Sequence, residues 1–220
     1  MFVSIASIYQ KPNFPSNYYS TPDLTLWILA MVLSLTSGWI FLSRRKKAEH
    51  KQPKSLFLGL AILFVFMAGT RLFYIVGVKG PEEQYDFWIN LGYTCGIAGM
   101  GYFLYEMEKN SLKKTHFLFT IVNIVGVTAG VLGTFKIVPR AVPLLISSIV
   151  STADVVLIVC IYMYFIYVSP GELKKRGLYN FFGVLILFTG FSMDSELFYL
   201  TLWPGMPVIL PPILKIIGNL

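Results

Sequence analysis

What this 220-residue chain has least of is charge. Asp, Glu, Lys and Arg make up 13% of it, against about 25% in soluble domains, while 55% is hydrophobic and the mean hydropathy is +0.67. That balance belongs to the membrane class and leaves no room for a soluble domain. Histidine and cysteine are nearly missing as well, with two of each. His50 and His116 lie in charged stretches, and Cys95 and Cys160 fall inside apolar runs without a CxxC spacing. The sequence therefore offers no zinc or haem ligand set, and the cysteines read as small packing residues, not a redox pair. No cofactor is expected. There is no HExxH, no histidine placed for a Ser–His pair, and no glycine-rich phosphate loop followed by lysine. A membrane aspartyl protease would need Asp154 and Asp194 at one depth, which the span lengths oppose. The expectation is a protein that is not an enzyme. Residues 1–23 lack a basic n-region and a useful apolar h-region, and read as an exposed tail.

What is present in abundance is long apolar runs. A helix needs roughly 20 mostly apolar residues to cross about 30 Å of hydrocarbon. Six runs qualify: residues 24–42, 55–78, 87–107, 117–135, 142–168 and 178–200. A seventh, 207–220, is short for a full crossing and carries Pro211 and Pro212. The predicted fold is all-α: a polytopic transmembrane helical bundle of about seven spans, forming a single transmembrane domain.

Orientation follows from where Lys and Arg lie. The stretches after spans one, three and five hold Arg44, Arg45, Lys46, Lys47, Lys51, Lys54, Lys109, Lys113, Lys114, Lys174, Lys175 and Arg176. The opposite side holds Lys11, Lys79, Lys136 and Arg140. The imbalance places the N-terminus outside and the C-terminus inside, in a multi-pass protein of the cell membrane. It also accounts for the net charge of +7 without nucleic acid. Arg44, Arg45, Lys46 and Lys47 are candidates for contact with anionic lipid.

Two segments resemble one another. Gly59 and Ile62–Leu63–Phe64 of span two match Gly183 and Ile186–Leu187–Phe188 of span six. Leu72–Phe73–Tyr74 matches Leu197–Phe198–Tyr199 after one inserted residue. The offset passes four spans, so both copies would share one orientation: a parallel 3+1+3 repeat of residues 24–107 and 142–220, joined by 117–135. Small sugar transporters have a similar layout, with the site between their halves. Their proline–glutamine signature is missing here, and layout alone does not establish function.

Ionisable residues inside spans are functional candidates by default. Arg71 lies in the outer part of span two, and Asp194 and Glu196 at the equivalent place on span six. Asp154 lies near the middle of span five with Ser147 and Ser151 at i−7 and i−3, predicting a polar stripe. Asn90 and Thr94 on span three are candidate partners for a protonated Asp154. The blander reading pairs Arg71 with Asp194 or Glu196 as a structural clamp. Glu106 and Glu108, followed by Lys109, read as a membrane-boundary cluster with a Glu106–Lys109 ion pair. Gly92/Gly96 and Gly126/Gly130/Gly133 form small-residue faces that pack helices within one bundle or join copies into a homo-oligomer. Trp27, Trp39, Trp88 and Trp203 read as interface anchors, Lys215 as snorkelling to headgroups, and Pro211–Pro212 as a kink or hinge.

Three functions fit these residues. One is a transporter of a small polar solute or ion, its pathway lined by Arg71, Asp154, Asp194, Glu196, Ser147, Ser151, Asn90 and Thr94. Another is a seven-helix sensor or receptor signalling through a cytoplasmic partner. The third is a structural or assembly subunit.

Overall fold

The computed structural model describes residues 21–110, 112–139, 141–168, 171–193, 203, 206, 207 and 209–219. Among them the chain is helical throughout, with no strand. α1 is Thr21–Lys47, α2 Lys51–Lys79, α3 Tyr85–Asn110, α4 Leu118–Thr134, α5 Ala141–Val168, α6 Gly171–Met193 and α7 Leu210–Asn219. Short 3-10 turns at Glu82–Gln84 and Lys113–Thr115 precede α3 and α4.

Three helical stretches are long and apolar enough to cross a membrane: Leu24–Lys47, Pro53–Lys79 and Ala141–Tyr164. Leu118–Thr134 and Phe181–Gly190 are shorter apolar helical segments. The basic runs prove to be helix ends rather than loops. α1 continues through Arg44–Lys47, and α6 already begins at Gly171, so Lys174 and Lys175 are helical. Only Ala48, Glu49 and His50 separate α1 from α2.

The final helix departs from the sequence expectation. Its ten residues rise about 15 Å at ~1.5 Å each, half the hydrocarbon thickness. Pro211 and Pro212 do not interrupt it; they occupy its first turn. N–H groups there have no intrahelical acceptor, so a missing proline donor costs the ladder nothing. The Ile213 N–H opens the i→i−4 bonding by donating to Ile209 O at 3.3 Å.

The chain divides into two compact units, each described here alone. One is residues 31–151; in the other, residues 21–30 join those from 152 onward. In the 31–151 unit α2 packs antiparallel on α3 and α3 on α4. Glycine makes these contacts close. A Cβ built on Gly92 would lie 2.4 Å from the Tyr74 ring, one on Gly99 2.5 Å from Phe66 Cβ, and one on Gly130 2.1 Å from Thr94 Oγ1. Gly126 meets Ile97 and Val150, and Gly133 meets Pro143, so α4 also lies against the start of α5. Both small-residue faces are thus filled from within the chain.

The opposite face of α4 inverts the pattern of a soluble helix. Its buried residues are small or polar: Asn123, Gly126, Ala129, Gly130, Gly133 and Thr134. Its exposed residues are the aliphatics Leu118, Ile121, Ile124, Val125 and Val131, with Thr128 among them. Large aliphatics outside and small residues inside suit a hydrocarbon solvent, where close packing rather than burial of apolar area joins helices.

In the second unit α6 packs on α7. A Cβ on Gly218 would meet the Leu187 backbone at 2.6 Å, and one on Gly190 would meet Lys215 Cγ at 3.0 Å. Within the earlier segment match, a Cβ built on Gly183 would lie 3.6 Å from Gly218 O, whereas Leu197–Tyr199 lies outside the described residues.

These contacts give a test. Gly130→Val inserts branched bulk against Thr94 and should destabilise by about 1–3 kcal/mol. Ile124→Ala, on the exposed face, should change the melting temperature in detergent little. Equal loss from both would show that α4 packs otherwise.

Candidate functional site

Three groups of polar residues are built into these helices. The first is in the 31–151 unit, towards the end opposite its lysine-rich one. Arg71 is 3% exposed on α2, its guanidinium carbon 5.1 Å from the centroid of the Tyr74 ring one turn on. Tyr74 lies against Gly92 and meets Tyr93 edge-on at 5.3 Å. Thr70, also buried, sits over Gly96 and donates to Phe66 O at 3.0 Å. Thus the α2 turn bearing Arg71 rests on the α3 turns bearing Asn90 and Thr94. Both of those are buried, and the Thr94 hydroxyl donates to Asn90 O at 2.7 Å. Asn90 Nδ2 is 3.6 Å from a Cβ built on Gly133, which also touches Pro143. Ser147, one turn beyond Pro143, is buried with its hydroxyl making no hydrogen bond.

Asp154 belongs to the other unit and is 2% exposed. The buried line of α5 runs Pro143, Ser147, Val150, Asp154 and Ile158, at spacings of three and four. Ser147 shares that line with Asp154, as the i−7 spacing predicts. Ser151 does not: it is exposed. The buried arc passes through Val150, leaving the i−3 position on its outer flank. Asp194 and Glu196 lie outside the described residues.

The same unit holds two residues that sequence reasoning misplaced. Lys215 does not snorkel; it is 3% exposed, with Nζ 4.5 Å from the centroid of the Trp27 ring. Trp27 is 1% exposed and belongs to the core, not to an interface. A cation over an indole face gains electrostatic attraction that strengthens as water is removed. Trp39 and Trp203 are exposed, while Trp88 stacks on Phe73 at 6.0 Å. A cavity of about 190 Å³ lined by Val155, Leu185, Phe188, Thr189, Ser192 and Met193 lies between α5 and α6. It is mainly apolar, and the Thr189 hydroxyl donates back to Leu185 O at 2.8 Å.

The third group is at the lysine-rich end of the 31–151 unit. Glu106 and Glu108 are buried there, and neither pairs with Lys109 among the described residues. Lys109 instead lies over Tyr105, 5.2 Å from the ring centroid. The Glu106 carboxylate receives the Ser55 hydroxyl, and Ser55 Oγ in turn accepts from Asn110 Nδ2 at 2.6 Å. That network ties the start of α2 to the end of α3. Glu108 caps the following helix. Its carboxylate accepts from Phe119 N at 3.1 Å, Thr120 N at 2.9 Å, Thr115 Oγ1 at 2.7 Å and Thr120 Oγ1. The first-turn N–H groups of α4 need acceptors, and the residue at its own N-cap position, Phe117, supplies none. An anion also suits the positive end of the helix dipole. Burial pushes the Glu108 carboxyl up, but these hydrogen bonds together outweigh burial and hold it below its ordinary value. The sequence signal was there, in Thr115 and Thr120 at i+7 and i+12. A reading of charged residues as solvated boundary groups passes over it.

Comparison with known proteins finds no matching family model, curated protein or solved structure. Among the described residues, no group of three or more His, Cys, Asp or Glu is placed to hold a metal ion.

The Glu108 cap predicts a pH dependence with a definite sign. A carboxyl held below its unfolded value stabilises the fold fully above that value, and the gain is lost as pH falls through the folded value. Glu108→Gln should therefore melt lower than the parent at neutral pH and lose less on acidification to pH ~4. Melting in detergent across that range checks it; parallel pH slopes would rule out an ionised cap.

Proposed function

We propose that this chain is a multi-pass protein of the cell membrane, N-terminus outside, that carries a small polar solute or ion across the bilayer. The observation carrying the reading is that Arg71 and Asp154 are 3% and 2% exposed in helical stretches apolar enough to cross a membrane. A charged side chain at mid-span costs about 2.5–3.5 kcal/mol on insertion scales, and such residues concentrate where something polar passes. The inverted surface of α4 supports the membrane setting, and the excess of Lys and Arg after spans one, three and five supports the orientation. Seven segments grouped as 3+1+3 remain part of this proposal, with Gly59 and Gly183 as matched contact glycines. Within the 31–151 unit, the buried Asn90, Thr94 and Ser147 add neutral polar groups to Arg71.

A second reading is favoured by one observation. Nine exposed basic residues crowd the cytoplasmic end of the 31–151 unit, a surface suited to the partner of a sensor or receptor.

Proton flux into dye-loaded proteoliposomes is the first measurement. Asp154→Asn should lower it about tenfold or more, equivalent to ~1.4 kcal/mol, while Ile149→Ala on the exposed side of α5 should not. Absence of flux for protons, sodium, potassium and sugars, with a cytoplasmic partner recovered, would transfer the function to the second reading.

A further inference from the structure

Charge at the lysine-rich end of the 31–151 unit is segregated by sign. Arg44, Arg45, Lys46, Lys47, Lys51, Lys54, Lys109, Lys113 and Lys114 are all exposed. Of the acidic residues there, only Glu49 faces outward; Glu106 and Glu108 are turned inward onto hydroxyl and amide donors. Neutral donors satisfy the acids, so the lysines keep their charge for something outside the chain.

At one place that charge adjoins an apolar track. Lys113 and Lys114 form the 3-10 turn before α4. The chain then passes through two left-handed residues, His116 at φ 51° and Phe117 at φ 61°. Phe117 stacks on Tyr105 at 5.9 Å, and Lys109 lies over that same Tyr105 ring. Lys109 thus lies on one ring of the pair, and the turn bearing Lys113 and Lys114 leads directly to the other. Beyond it the exposed face of α4 continues through Leu118, Ile121, Val125 and Val131. Thr128 is the polar residue on that face, and its hydroxyl is turned back onto Ile124 O at 2.8 Å. From Leu118 to Val131 the track is about 20 Å long at ~1.5 Å per residue, longer than one ~15 Å leaflet of hydrocarbon.

We propose that this turn and track seat one anionic phospholipid, its phosphate headgroup on Lys109, Lys113 and Lys114 and its acyl chain along Leu118, Ile121 and Val125. A cationic headgroup site continuous with an aliphatic track fits a lipid, whereas an acidic soluble partner has no use for the track. Glu108 beneath the turn is buried with its carboxylate bound to four donors, so the charges exposed at the turn are those of the lysines.

The inference rests on the membrane reading, and one experiment separates the two. The full chain is placed in nanodiscs of phosphatidylcholine and phosphatidylglycerol, with a spin label on one lipid or the other, and the immobilised fraction is measured. The parent should immobilise phosphatidylglycerol several-fold over phosphatidylcholine. Lys113→Gln/Lys114→Gln should bring the ratio towards one at unchanged melting temperature, and Lys79→Gln/Lys136→Gln at the other end should not. Equal immobilisation of both lipids by the parent overturns the seat and leaves the membrane reading standing. An equal loss in both double variants overturns it too, since that is general charge attraction. Absence of an immobilised component with either lipid overturns the membrane reading itself.

Discussion

How closely other helices can approach α3 determines the 31–151 unit. Without water to drive apolar surfaces together, helix contact in a bilayer depends on dispersion and on groups that bond across the seam. α3 meets that demand with Gly92, Gly96, Gly99 and Gly101, which accept Tyr74, Thr70, Phe66 and Asn123. α4 answers with Gly126, Gly130 and Gly133. Several of these sites have no space even for a methyl group. The contact geometry therefore sets the register in which Arg71 on α2 and Asn90 and Thr94 on α3 come to one level.

Polar groups follow the same economy of space. At one end the buried Glu106 and Glu108 satisfy hydroxyls and first-turn amides. At the other, Arg71 lies on an aromatic ring, as Lys215 does in the second unit. Aromatic faces recur as partners for cations here because they are the polarisable surface that apolar helices supply. The outcome is an interior holding charges of both signs and a basic end whose surface is almost wholly cationic.

Much of the helical layout was legible because apolar runs have sharp edges. The helix expected over 142–168 is Ala141–Val168, an apolar run whose single charged residue, Asp154, is turned into the packing. The third helix, expected to stop at 107, runs to Asn110 because Glu106 and Glu108 find donors inside the helix packing. Depth and facing were harder to read. Lys215 belongs near headgroups only if Pro211–Pro212 bends a longer span, whereas the pair opens a short helix. Trp27 obeyed the rule for aromatic residues near span ends until the residue covering it was known, and that residue is far along the chain. Ser151 and Ser147 are equally good neighbours of Asp154 by spacing; only packing decides which turns inward.

The Glu108 cap has a consequence for the order in which the chain is made. The acceptor that completes the first turn of α4 lies on α3, upstream, and so has left the ribosome before the donors it serves. Thr115, Phe119 and Thr120 meet their carboxylate as they emerge, without waiting for any later segment. The other side of α4 differs: Gly126 and Gly133 face Val150 and Pro143, which are synthesised afterwards. The α3–α4 hairpin can thereby close on itself before α5 is made, its glycine face left open for the next helix to cover.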